Sequence, residues 1–99
     1  MLVSASLGIK MSFKVREFGG VRNQFTINFA GNRYFQSYDS IICMRDSRGR
    51  MYLDKTYWKY SRTTGKYRNK WLGEDIKETE KKIKSGKYIL TDLNSDKNE

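Results

Sequence analysis

Residues 54–73 read DKTYWKYSRTTGKYRNKWLG, and the way this stretch folds decides the architecture of the chain. Tyr67 and Trp71 suit a four-residue helical spacing and a two-residue strand spacing alike. Thr63 is placed to cap a short helix, whereas Thr64 and Gly65 are equally placed to turn a hairpin. The helix is the favoured reading. Chemically the stretch is one-sided: Lys55, Lys59, Arg62, Lys66, Arg68 and Lys70 meet no acid before Glu74, and Tyr57, Trp58, Tyr60, Tyr67 and Trp71 are interleaved with them. Cations that neutralise phosphate, alternating with rings on which bases stack, make a nucleic-acid surface. The same rings equally suit the core of a small domain, with the cations on its solvated outer side.

Upstream, the pattern is that of strands. From Ser12 to Phe18, Phe13 and Val15 share one face and Lys14 and Arg16 the other, until Gly19 and Gly20 break the run. From Asn23 to Ala30 the alternation is cleaner, with Phe25, Ile27 and Phe29 on one face, read as core, and Gln24, Thr26 and Asn28 on the other. Gly31 and Asn32 turn the chain into Arg33 to Tyr38, and the first three strands read as an antiparallel meander. Ser40 to Arg45 is a fourth strand whose unbroken apolar run suggests burial on both faces. Asp46 to Gly49 then makes a hairpin returning through Met51, Tyr52 and Leu53.

Downstream, Glu74 to Lys84 is the clearest helix, with acids at its start, lysines at its end and Gly86 placed to stop it. Glu78 with Lys82 and Glu80 with Lys84 are the expected ion pairs. Its apolar stripe is thin, Leu72, Ile76 and Ile83 with Thr79 between, which fits a lid on the sheet. Lys87 to Leu93 reads as a last strand. The expected fold is α+β: a small antiparallel sheet of four to six strands covered by one C-terminal helix, with a second short helix over Tyr57 to Leu72. Residues 11–94 form the single domain, residues 1–10 a disordered extension or upstream start, and residues 95–99 a polar tail.

Composition narrows the function. Ninety-nine residues supply one modest core, and 14% aromatic content makes much of it rings. Twenty Lys and Arg against 11 Asp and Glu give a net charge of +9, a field that attracts DNA, RNA or an acidic protein face. No apolar run approaches the ~18 residues of a membrane span, no long amphipathic basic helix is present, and MLVSASLGIK lacks the parts of a secretion signal, so no membrane is expected. The lone Cys43, flanked by Ile41, Ile42 and Met44, reads as a buried inert thiol in a reducing cytoplasm.

The chain has no histidine, which removes most zinc sites and the Ser-His and Cys-His nucleophile pairs. There is no glycine-rich phosphate loop. Asp39, Asp46 and Asp54 are the only acids near the sheet ends, and they read as turn residues, so neither a metal nor another cofactor is expected. In size, charge and mixed α and β content the chain resembles small basic ribonucleases of the toxin type, for which Arg62, Lys66 and Tyr67 would surround the scissile phosphate, but no motif supports that likeness.

FQSYDSII (35–42), the block LDKTYWKYSRTTGKYRNKWLGE (53–74) and KKIKSGKYILTDLN (81–94) carry a further likeness. Over residues 33–94 the chain resembles a family of small uncharacterised proteins of bacteriophages and other mobile elements of Gram-positive bacteria, marked by FQSY followed by YSxTTxKYRNxFLGE. Trp71 stands where that motif has Phe. The resemblance implies an accessory protein in a bacterial cytoplasm and brings no catalytic residues. The expectation is a non-enzymatic module binding nucleic acid or a nucleoprotein complex, single strands in preference. Lys55, Lys59, Arg62, Lys66, Arg68 and Lys70 would contact phosphates, and Tyr57, Tyr60, Tyr67 and Trp71 would stack on bases, with Trp58 in the core. The alternative is an inhibitor of a host enzyme, such as a defence nuclease, docking through the same face. The sequence sets no oligomeric state.

Overall fold

The structure is a computed structural model and describes residues 13–95; the expected extension over 1–10 and all of the polar tail but Ser95 lie outside them. The fold is α+β, a six-stranded sheet with two helices. The strands are β1 (Phe13–Glu17), β2 (Gln24–Phe29), β3 (Asn32–Ser37), β4 (Ser40–Arg45), β5 (Met51–Asp54) and β6 (Tyr88–Thr91), and the helices are α1 (Arg62–Leu72) and α2 (Ile76–Lys84).

The sheet runs in chain order: the antiparallel meander expected of the first three strands is formed and continues through β4 and the hairpin to β5. The expectation of an all-antiparallel sheet fails at the last strand: β6 pairs parallel to β5. The two helices between these strands form the crossover that a parallel pair needs. A register shift between Phe35 and Gln36 gives β4 one extra residue, leaving Ile42 and Cys43 both fully buried. That bulge, rather than burial of both faces, accounts for the apolar run of β4.

The 54–73 stretch forms a turn and then α1. Its cap is Ser61 rather than Thr63: the Ser61 hydroxyl accepts the Thr64 N–H at 3.1 Å. Gly73, left-handed at φ 73°, closes the helix by donating its N–H to Asn69 O at 2.8 Å. Asp75 caps α2 through the Glu78 N–H at 2.9 Å. The expected Glu78–Lys82 and Glu80–Lys84 pairs are not formed. Lys82 instead donates to Glu74 at 2.6 Å, and Glu80 lies 3.8 Å from Lys59. Glu74 also accepts the Thr79 and Tyr88 hydroxyls at 2.6 and 2.9 Å, which ties the α1–α2 link to α2 and β6. These hydrogen bonds hold the Glu74 carboxyl below its ordinary value against the opposing effect of its burial.

The cross-strand register shows which face the helices meet. Arg16, Thr26, Phe35, Cys43, Leu53 and Leu90 form one row across all six strands. Trp71 of α1 stacks on Phe35, centroids 6.1 Å apart, and its indole N–H donates to the Thr26 hydroxyl at 3.1 Å. Thr64 and Ser37, both buried, share a hydrogen bond of 2.8 Å. The core, formed by Phe35, Ile42, Cys43, Met51, Leu53 and Trp58 with Tyr67 and Tyr88, thus lies on the side of Thr26. Phe25, Ile27 and Phe29, expected in the core, point to the other side and stay partly exposed, because successive strand residues alternate faces.

Candidate nucleic-acid interface

The site starts from Asp54, buried at the end of β5. Its carboxylate accepts the backbone N–H groups of Thr56, Tyr57 and Leu93 at 2.9, 2.8 and 2.7 Å, which organises the turn leading to α1. Trp58 is buried on this turn, as expected, and Tyr57 meets Tyr60 edge to face at 5.4 Å. Lys55, Lys59 and Tyr60 are left at the surface, Tyr60 at 59% exposure.

In α1 the six expected contact residues divide. Arg62, Lys66 and Lys70 lie at successive i, i+4 steps, all exposed, with no ion pair among the described residues. Thr64, Tyr67, Arg68 and Trp71 form the i, i+3, i+4, i+7 stripe that faces the core. Tyr67 is buried, with Lys66 and Lys70 ammonium groups 5.4 and 5.1 Å from its ring, and Trp71 is half-buried on Phe35 with Arg33 5.7 Å from its ring. The expectation that Tyr67 and Trp71 present free faces to bases is therefore corrected: both faces go to packing.

Arg68 is the second correction, because it is 1% exposed and cannot act as an outer phosphate contact. Its guanidinium donates from Nη1 to Trp58 O and from Nη2 to Asn69 Oδ1, each at 2.8 Å, and sits 5.3 Å from the Trp58 ring. Nε has no partner, and no carboxylate lies within ion-pair distance among the described residues. Burial lowers its pKa from the ordinary guanidinium value, opposed by the fields of Cys43, Glu80 and Glu74. An arginine stays charged even so, which leaves a buried cation without an adjacent counter-charge. Burial also pushes the Cys43 thiol far up, in keeping with an inert sulfur.

A groove of about 600 Å³ runs above Arg68, walled by Lys59, Arg62, Lys66 and Ser61. Gly65 also lines it, with no side chain to fill the space. Ser61 is shared with a larger open hollow of about 880 Å³ at the end of the sheet, where Tyr38, Tyr60 and Phe25 meet Asn23, Gln36 and Asp39. Tyr38, 46% exposed and left-handed at φ 57°, was not among the expected residues. Its place in the turn between β3 and β4 gave no periodic signal. Lys55 and Lys70 line neither space. Among the described residues no three His, Cys, Asp or Glu side chains are grouped to hold a metal, and no helix is long and apolar enough to cross a membrane.

Fold and site together define a small α+β domain with a cationic groove opening beside a ring-lined hollow. The chain belongs to a family of unknown function, DUF8033, whose model matches residues 11–88, from just before β1 to the first residue of β6. No curated protein and no solved structure matches it.

Proposed function

We propose that the protein is a non-enzymatic nucleic-acid-binding module that holds a single strand along the groove and places a base in the neighbouring hollow. The observation that carries this reading is Arg68, a buried cation with no adjacent carboxylate beneath the Lys59, Arg62 and Lys66 walls. An anion in the groove balances a charge that is otherwise costly to bury. Tyr60 and Tyr38 supply the exposed ring faces, and a stacked base is worth about 1 to 3 kcal/mol. A duplex keeps its bases stacked inside and has none to offer the hollow. In a phage or mobile element of a bacterial host, the setting that the FQSY and YSxTTxKYRN resemblance implies, such a module would act on strands opened in replication or gene control.

Ultraviolet cross-linking of a bound single-stranded oligonucleotide, mapped by mass spectrometry, tests the placement. Adducts on Tyr60 or Tyr38 support it. Adducts confined to Tyr34 or Tyr52 on the opposite sheet face reject it.

A second reading is supported by the same exposed tyrosines beside Arg62: Tyr and Arg dominate protein hot spots, so the face also suits docking on a host enzyme. A stoichiometric protein partner retained from host lysate after nuclease treatment distinguishes it.

A further inference from the structure

The register places a second row on the side away from the helices. Val15 opposes Ile27, Ile27 opposes Tyr34, Tyr34 opposes Met44, Met44 opposes Tyr52, and Tyr52 opposes Ile89. One apolar row thus crosses all six strands without a break, flanked by Phe13 packed edge to face on Phe29 at 5.5 Å and by Phe25. Phe13, Val15 and Ile89 are 62%, 48% and 40% exposed, and the central members are half-buried. At the usual strand spacing the row is roughly 24 Å wide.

Charge is divided between the faces. The strand cations are Lys14, Arg16, Arg33 and Arg45, and the register puts every one of them on the helix side. On the apolar side the charged strand residues are Glu17 at one margin and Asp54, whose carboxylate is buried against backbone N–H groups. A chain of net charge +9 therefore carries one broad face free of strand cations.

We infer that this face binds a second copy of the chain, two sheets packing face to face with both helix layers outward. Elsewhere, two copies of so basic a protein would oppose like charges. Here they meet apolar on apolar, and each copy supplies the partner surface that the other lacks. An aligned sandwich packs its sheets about 10 Å apart with interdigitated side chains, an arrangement that would cover the row and its flanking rings in both copies. All of the row but Ile89 lies within the part of the chain that matches the family, whereas residues 1–10 lie outside that match, which favours a copy over the chain's own first residues as the cover.

Sedimentation equilibrium of the nuclease-treated, full-length protein tests the inference. The expected mass is twice the 11.7 kDa of the monomer, persisting at high salt. The double variant V15K/I89K, at the two ends of the row, should sediment as a folded monomer with unchanged circular dichroism. A wild-type monomer up to the solubility limit overturns the inference, whether residues 1–12 or another protein takes the face. A dimer that V15K/I89K leaves intact overturns it as well. Neither result bears on the groove, which lies on the other side of the sheet; Phe25 alone of the named residues belongs both to the margin of this face and to the hollow.

Discussion

The indole N–H of Trp71 donates to the hydroxyl of Thr26 at 3.1 Å, and this bond across 45 positions of sequence marks which face of β2 lies under α1. Trp71→Phe keeps a ring on Phe35 but loses the bond, and Thr26→Val loses it from the other end. Each should cost about 1 kcal/mol. The double variant should cost clearly less than the sum, because both remove the same interaction. Urea denaturation of the four proteins measures this, and strict additivity would deny the bond an energetic role.

Under the proposed function, Arg68 serves charge rather than stability. Arg68→Met keeps most of its volume and removes a buried cation with no adjacent carboxylate among the described residues, which offsets the loss of its bonds to Trp58 O and Asn69 Oδ1, so folding stability should stay within about 1 kcal/mol of the parent protein. Oligonucleotide affinity should fall at least tenfold. A stable variant with unchanged affinity would make Arg68 a packing residue only.

Gly65 lines the groove from the N-terminal end of α1, its fourth residue, where glycine costs up to about 1 kcal/mol relative to alanine. A methyl group there would lie 3.6 Å or more from the Arg68 guanidinium, an ordinary contact. Gly65→Ala should therefore raise the melting temperature while weakening oligonucleotide binding, because the added carbon narrows the groove. Higher stability with undiminished binding would place the strand elsewhere.

The Glu74 network predicts an acid limb in stability. Because the folded-state pKa of Glu74 lies below its ordinary value of 4.5, its contribution is intact above that pH and is lost as pH falls through the lower folded value. Glu74→Ala removes the bonds to Lys82, Thr79 and Tyr88 and should cost about 2 kcal/mol at neutral pH, with a shallower loss below pH 4.5. Thermal melts of both proteins across acid pH measure the difference, and parallel curves would contradict it.

The strands were legible because alternation reports which residues share a face: Phe25, Ile27 and Phe29 do so. It does not report which face a helix will cover. Gln24 and Thr26 look like the wet side in sequence, yet Gln24 is buried and Thr26 meets Trp71. Periodicity likewise said nothing of β6 running parallel, since that follows from the path of the crossover. In the site, Arg62 and Arg68 are the same residue type in the same basic run, and only the helical stripe through Thr64, Tyr67 and Trp71 separates the outer from the buried one. That stripe is legible in the sequence of any helix over these residues. Tyr38 had no such signal, because the β3–β4 turn and the start of α1 come together only in the folded chain.

The groove is tested most directly by fluorescence anisotropy of a labelled single-stranded oligonucleotide across a salt series, for the parent protein and the K59A/R62A/K66A variant. The parent should bind tightly with a steep negative slope of log affinity against log salt, and prefer single strands to duplex. Removing three phosphate contacts should make that slope shallower by about 2. A slope that is the same in both proteins, or binding by the parent that is weak and indifferent to the form of nucleic acid, would contradict the account.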